Sequence, residues 1–345
     1  MAKQASLNEH RNSPQFATED GVQFGERAKA QLELEGIATW RGGARAAYSI
    51  VHDDLGRPKA DGILRNAAPQ AHARGLAIAV AAVAKDCEER RLWDQLRALQ
   101  QDGHEILNHS YSHQNLVEHP DHPGEIDRAR QVLEAGLGRP VTFFVFPYDE
   151  WDEAGISHLR GNGYLGARCG ERGVNAPDFA DDLRIGFDVY GPSYSAYSGD
   201  VLSAQLDAAI ATSGWAMREL HGVADDSWEA ISLADYSRHL DDVCERVQAG
   251  LLWVATPSEV IRYRRARELF GNPSLLDGKL RFPEPPAEAL GFCTKLSVLL
   301  KTTEQEAAAL RAEQAGQSLD VRRISKGLFT LDVDPMGGST DIFLS

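Results

Sequence analysis

The sequence is poor in cysteine and in cationic charge, and it contains no long apolar run. Its four cysteines, Cys87, Cys169, Cys244 and Cys293, stand far apart and form no Cys-x-x-Cys pair. That spacing argues against a disulfide framework or a thiolate metal site and fits free, mostly buried thiols. Lys and Arg number 36 against 51 Asp and Glu, a formal net charge of -15. Nucleic acid and anionic lipid are recognised by clustered cations, so neither is expected as the main partner. The one basic run, Arg262-Tyr263-Arg264-Arg265-Ala266-Arg267, lies on a predicted helix and reads as a solvated face. No stretch reaches the length of a membrane span, and Met1 to His10 lacks the apolar centre of a signal peptide. A soluble chain is expected, either cytoplasmic or exported with its signal removed, and the sequence leaves room for a homo-oligomer.

What is present is an alternation. Residues 1–43 form a polar lead-in with one expected helix, Glu26 to Leu34. Residues 44–268 alternate short apolar strands with amphipathic helices, the signature of βα units on a parallel sheet. The expected strands are Ala46–His52, Leu76–Ala82, Glu105–Asn108, Val141–Phe146, Leu165–Arg168, Trp215–Leu220 and Leu251–Ala255. Seven alternations suggest a barrel, on which functional groups collect where strands end. Thr256-Pro257-Ser258-Glu259 carries an N-cap, a proline at the first helical position and a glutamate at the third, so a helix should start there. Residues 269–345 read as a small, mostly β module with one helix near Thr303–Ala315.

The chemistry sits at expected strand ends. Asp53-Asp54 closes the apolar strand Ala46–His52. Two adjacent carboxylates there are costly unless a positive group lies between them. One of the pair could bind a metal while the other takes a proton from water. Downstream, His109 and His113 follow the strand Glu105–Asn108. If the chain turns helical there, the two imidazoles share one face and can hold a single ion. Two histidines with a carboxylate suit Zn²⁺ best, with Co²⁺ or Ni²⁺ also compatible.

Together these segments resemble the polysaccharide deacetylases, the NodB-homology or carbohydrate esterase family 4 group. The match rests on Asp53-Asp54 and on Gly103-His104-Glu105-Ile106-Leu107-Asn108-His109-Ser110-Tyr111-Ser112-His113. The resemblance implies an irregular (β/α)7 barrel with a β-rich C-terminal appendage. It implies Asp53 as general base and Asp54, His109 and His113 as ligands of one divalent metal ion. It further implies that the Tyr148 backbone N–H, after Pro147, supports the oxyanion and that His221, in Leu220-His221, is the general acid. The family's Arg-x-Pro-Tyr core is altered: Val145 stands where arginine is expected, and Arg168, at the next strand end, is the candidate replacement. Trp228 and Tyr190 are candidates to line the substrate groove, and Asp225 or Asp226 to orient His221. His52, His104, Glu105, His119 and His122 are read as structural hydrogen-bonding groups.

The activity implied is hydrolysis of the N-acetyl amide of an amino-sugar polymer or oligosaccharide, with an acetylated carbohydrate as partner and acetate as product. Two other readings compete with it: hydrolysis of a non-sugar amide such as a cyclic imide or ureide, and a catalytically silent glycan-binding protein.

Overall fold

The computed structural model describes residues 32–193, 200–303 and 310–344. Nine strands come first in chain order: β1 (Glu33–Ile37), β2 (Ala46–Leu55), β3 (Ala79–Ala82), β4 (Glu105–Asn108), β5 (Phe143–Val145), β6 (Gly166–Arg172), β7 (Ile185–Val189), β8 (Trp215–Leu220) and β9 (Leu252–Val254). Strands β2 to β8 are parallel neighbours in sequence order, and β2 pairs with both β3 and β8, so seven strands close into a barrel. The start of β2, Ala46 to Tyr48, pairs with β9, while its end, Val51 to Leu55, pairs with β3 on the same side. One long strand thus serves two partners, and β9 fills the gap where the ring splays.

This corrects the expected strand set. The stretch Leu251–Ala255 lies outside the closed ring, and the seventh ring strand is Ile185–Val189, which was not expected. Its sequence, Ile-Gly-Phe-Asp-Val, is short and carries a glycine, and no helix connects it to β6. Barrel strands are buried on both faces and read as apolar runs. β2 and β8 are lined with fully buried Tyr48, Ile50, Val51, Trp215 and Met217.

Amphipathic helices cover the ring. α1 (Ala68–His72), α2 (Ala84–Glu89), α3 (Trp93–Gln101), α4 (Arg128–Leu137), α5 (Glu153–Gly161), α6 (Val201–Thr212), α7 (Leu233–Gln248) and α8 (Pro257–Phe270) follow in order. In α7 the Ser232 side chain caps the Asp235 N–H, and Tyr236, Leu240 and Val243 at helical spacing face the core. The helix expected at Thr256-Pro257 begins there.

The basic run on α8 is not a solvated face. Arg264 is buried, ion-paired to Asp182 at 2.6 Å and laid over the Phe179 ring, while Arg265 reaches the same carboxylate. The arginines stitch α8 to the 177–182 segment, because Asp182 is buried and needs cationic partners.

The C-terminal module is a sandwich. Its strands are β10 (Ser274–Leu276), β11 (Lys279–Arg281), β12 (Leu296–Lys301), β13 (Leu310–Gln314), β14 (Gln317–Leu319), β15 (Val321–Ser325), β16 (Leu328–Val333) and β17 (Thr340–Leu344). One antiparallel sheet runs β1-β12-β16-β15 and the other β10-β11-β17-β13-β14. Val298, Leu300, Phe329 and Leu331 from the first pack on Leu280, Ala312 and Ile342 from the second. Two expectations change here. Glu33 and Leu34 are strand rather than helix, so part of the lead-in belongs to this module; Leu32 is irregular, and residues 26–31 lie outside the described residues. Leu310–Gln314 is also strand, its alternating buried and exposed residues fitting a sheet and not a helix; residues 304–309 of that expected helix are outside the described set.

Candidate metal centre

Because the ring is parallel, the carboxyl ends of its strands lie on one rim, and the predicted residues reach that rim from five strands. Asp53 and Asp54 end β2, His109 follows β4, Pro147 and Tyr148 follow β5, Arg168 lies in β6 and His221 follows β8. The structure brings these side chains together.

His109 and His113 meet without a helix. Ser110 and His113 hold left-handed φ angles of 65° and 60°, so the segment is a tight loop. Asn108 accepts the Ser110 N–H through its side chain, and the Ser110 hydroxyl accepts the His113 N–H at 2.8 Å. Buried Glu125 accepts the N–H and hydroxyl of Ser112. Asn and Ser side chains that compete for backbone groups favour turns over helices, and here they set the two rings 4.8 Å apart.

His109 donates its Nδ1–H to the Val145 carbonyl at 2.9 Å, which leaves Nε2 as a lone pair facing the aspartates. From Asp54 Oδ1, His113 Nε2 is 3.2 Å away and His109 Nε2 3.9 Å. Burial, reinforced by the neighbouring His109, brings the His113 pKa down to about 4, so the imidazole is neutral at physiological pH. Asp54 Oδ1 is buried and has no hydrogen-bond partner among the described residues. A carboxylate oxygen left without a partner between two imidazole nitrogens is a donor set that fits a divalent cation.

Arg168, the candidate replacement for the motif arginine, contacts Asp53. Its guanidinium is buried and grips Asp53 through two bonds, Nη1 to Oδ1 at 3.0 Å and Nη2 to Oδ2 at 2.5 Å. The same Nη2 reaches Asp149 Oδ1 at 2.9 Å. Burial pushes the Asp53 pKa up, but Arg168 and His109 outweigh it and bring the group to about 2. Asp53 is therefore ionised throughout the neutral range.

His221 is buried, its backbone carbonyl accepting from His52 Nδ1 at 2.6 Å. Burial lowers its pKa first of all, against the pull of Asp53 and Asp54. His52 in turn reaches the Tyr236 hydroxyl at 3.1 Å, a structural role as expected. Trp228 lies with its ring 4.6 Å from that of His221, and Tyr148 with its ring 4.7 Å from that of His113. Both aromatics are more than half exposed, at 52% and 62%. An open groove of about 610 Å³, lined by His113, Gln114, Asn115, Glu118 and Tyr148, leads away from the ligands.

Three candidates change on inspection. Tyr190 is buried in the barrel's helix-facing core. Asp225 is committed to the Gly62 N–H and to Ser227, and Asp226 is exposed, so neither is shown orienting His221. The carboxylate beside His221 is instead Glu219, with Oε1 4.0 Å from Nδ1. Glu219 and Asp149 were missed by sequence reasoning. The available signal was a charged pair, Arg218-Glu219, inside the otherwise apolar strand Trp215–Leu220, since buried charges require partners.

Residues 66–167 match the polysaccharide deacetylase family. The matched segment contains His109, His113, Pro147 and Tyr148; Asp53, Asp54, Arg168 and His221 lie outside it. No curated protein matches the chain. Among solved structures, the chain is similar to a polysaccharide-deacetylase-like protein from Mycobacterium smegmatis, with 17% identity, a TM-score of 0.47, and 74% of this chain and 100% of that one covered. It is also similar to a family 4 carbohydrate esterase from Streptomyces lividans in complex with acetate, with 17% identity, a TM-score of 0.41, and 60% and 91% covered. A family 4 acetyl xylan esterase from Clostridium thermocellum in complex with a cobalt ion shows 15% identity, a TM-score of 0.42, and 62% and 89% covered.

Proposed function

We propose that this protein is a metal-dependent hydrolase that removes the N-acetyl group from an amino-sugar polymer or oligosaccharide, releasing acetate and a free amine. The observation that carries this reading is Asp53, gripped by Arg168 and adjacent to the converging Asp54, His109 and His113. Those three residues would hold the ion, with Zn²⁺ favoured by the donor set and Co²⁺ or Ni²⁺ compatible. A bound ion of this kind supplies a Lewis acid for the acyl oxygen and for water.

The chain's own groups account for the proton movements. Asp53, ionised and fixed by Arg168, accepts a proton from the attacking water as the oxygen joins the acyl carbon. The Tyr148 backbone N–H faces the oxygen that gains charge, a contact of the kind that contributes about 2.7–4 kcal/mol. His221 delivers a proton to the nitrogen as its bond to the acyl carbon breaks. The scheme uses no Ser or Cys nucleophile, so it includes no covalent enzyme intermediate. Trp228 and Tyr148 offer exposed aromatic faces on which sugar rings can lie, which favours a carbohydrate over a compact cyclic amide.

The test is acetate release from acetylated chito-oligosaccharides beside a panel of cyclic imides and ureides, with Zn²⁺ or Co²⁺ supplied. Turnover of the oligosaccharides supports the proposal. Turnover of the cyclic amides alone would move the substrate class, and glycan binding without turnover of either would favour a silent binding protein.

A further inference from the structure

The strand that carries Asp53 and Asp54 also holds the loop that carries His221. Strands β2 and β8 pair in register as far as His52 and Leu220. The registered pairing stops there, and two residues on Asp54 takes a left-handed φ of 67°. The next carbonyl, that of His221, is met by a side chain: His52 Nδ1 lies 2.6 Å from it. A ring nitrogen that faces a carbonyl carries the hydrogen, so in the neutral imidazole Nε2 is the acceptor, taking the Tyr236 hydroxyl at 3.1 Å from α7. The ring is wholly buried and both of its nitrogens are in use.

Two further ties come from the segment after β2. Asn66 donates its side-chain N–H to the Val223 carbonyl at 2.7 Å, and the Gly62 N–H donates to Asp225 Oδ2 at 2.6 Å. The approach leaves no room for a side chain at position 62. A Cβ there would run into the Val223 carbonyl oxygen and stand 2.5 Å from Asp225 Oδ2. With φ at -62° and ψ at -21°, the Gly62 backbone is one that any residue adopts, so it is the nearness of the loop that calls for glycine. Residues 221–225 are thus held at three points by residues 52–66.

We propose that His52 is a positioning residue for the reaction: with Gly62 and Asn66 beside it, it pins the main chain of the loop that bears His221 and so fixes that residue's distance from Asp53 and the three ligands. This rests on the functional reading above, in which His221 protonates the departing nitrogen. One strand then spaces the base, one ligand and the acid. Such spacing matters to the rate, since a displacement of about 1 Å in a reacting group can cost about 100-fold. A brace on the acid also has a consequence that general loosening of the fold lacks. An amine departs only with a proton, whereas p-nitrophenolate is a weak base and departs without one. Loss of the brace therefore slows cleavage of an amide and largely spares p-nitrophenyl acetate, which calls on the ion and Asp53 but not on His221.

The experiment compares the full chain, loaded with Zn²⁺, with two variants: His52→Phe, which keeps a ring and removes the donor, and Gly62→Ala, which pushes on the loop from outside the site. On acetylated chito-oligosaccharides each should lose about 10- to 100-fold in kcat at nearly constant KM, and on p-nitrophenyl acetate less than about threefold. Both should bind Zn²⁺ as tightly as wild type. His52→Asn, whose side-chain N–H can take the place of Nδ1–H, should recover most of the amide rate. Equal losses on the two substrates, weakened Zn²⁺ binding, or an undiminished amide rate in folded His52→Phe would each overturn the proposal. Should His52→Phe fail to fold, Gly62→Ala decides by the same comparison. Nitrogen NMR of labelled histidines in the zinc-bound wild type needs no substrate: a single Nδ1–H form of His52 is expected, and an Nε2–H form would overturn the brace. Wild type that shows the expected tautomer and cleaves no acetylated oligosaccharide would count against the proposed function alone.

Discussion

Arg168 and Val145 are cross-strand neighbours, paired in register between β6 and β5. Arg168 thus stands on the adjacent strand, at the same level of the barrel as the position where the resemblance expects an arginine. Val145 instead packs its side chain in the apolar core, and its carbonyl accepts from His109. A guanidinium entering from either strand can reach the same aspartate, because neighbouring strands lie about 4.8 Å apart and an arginine side chain spans more than that.

From this follows the Arg168→Met prediction. Removing one partner of a buried, bidentate ion pair leaves Asp53 uncompensated and should cost about 3–5 kcal/mol of stability. In molecules that remain folded, kcat should fall about 10²- to 10⁴-fold, the range assigned to an oriented general base. Arg168→Lys should recover little, since an ammonium cannot reproduce the two parallel bonds. Denaturant unfolding and steady-state kinetics on both variants check this, and unchanged turnover in Arg168→Met would show that Asp53 is supported in another way.

Much of this site could be read from residue order. Asp53-Asp54 and His109…His113 sit at strand ends, where a parallel barrel gathers its polar groups, so the strand pattern and the motif spacing led to the same rim. The loop at Ser110–His113 was misjudged because i, i+4 spacing suggests a helix, whereas the Asn108 and Ser110 side chains capture backbone N–H groups and hold the chain left-handed. Glu219 and Asp149 could not be placed, since what defines them is a shared distance to Arg168 and no local pattern encodes that distance. Strand Ile185–Val189 was hidden by its brevity. The lead-in strand Glu33–Ile37 was hidden by its partner, which lies more than 250 positions away at Leu296–Lys301.

A pH effect on folding follows from His239. This residue is buried in α7, its Nε2 3.0 Å from the Tyr48 hydroxyl, and burial first, then Arg218, lowers its pKa from 6.5 to about 3. The unfolded chain binds this proton at a higher pH than the folded chain, so stability falls as pH drops from about 6.5 toward 3 and levels off below that. The slope attributable to the one site is about 1.4 kcal/mol per pH unit. Denaturant titrations of metal-free protein at several pH values should show a shallower decline in His239→Gln; equal slopes would assign the effect to other groups.

Trp228 bears on substrate length. Its half-exposed ring lies edge-on to His221, so Trp228→Ala should leave the fold intact. Loss of one aromatic contact of about 0.5–1.5 kcal/mol corresponds to a rise in KM of up to roughly tenfold for an oligosaccharide. A monosaccharide that does not reach the ring should be affected less. Comparing KM across acetylated oligomers of increasing length measures this, and a length-independent effect would remove Trp228 from the binding surface.

The central claim is that Asp54, His109 and His113 form a metal centre, and calorimetric titration of chelator-stripped protein with Zn²⁺ tests it most directly. The account predicts one tightly bound ion per chain in the wild type and loss of that binding in His113→Ala, with Glu105→Gln, on a different part of the barrel, binding as before. Folded wild type that binds no Zn²⁺ or Co²⁺, or a His113→Ala variant that binds as tightly as wild type, would contradict it.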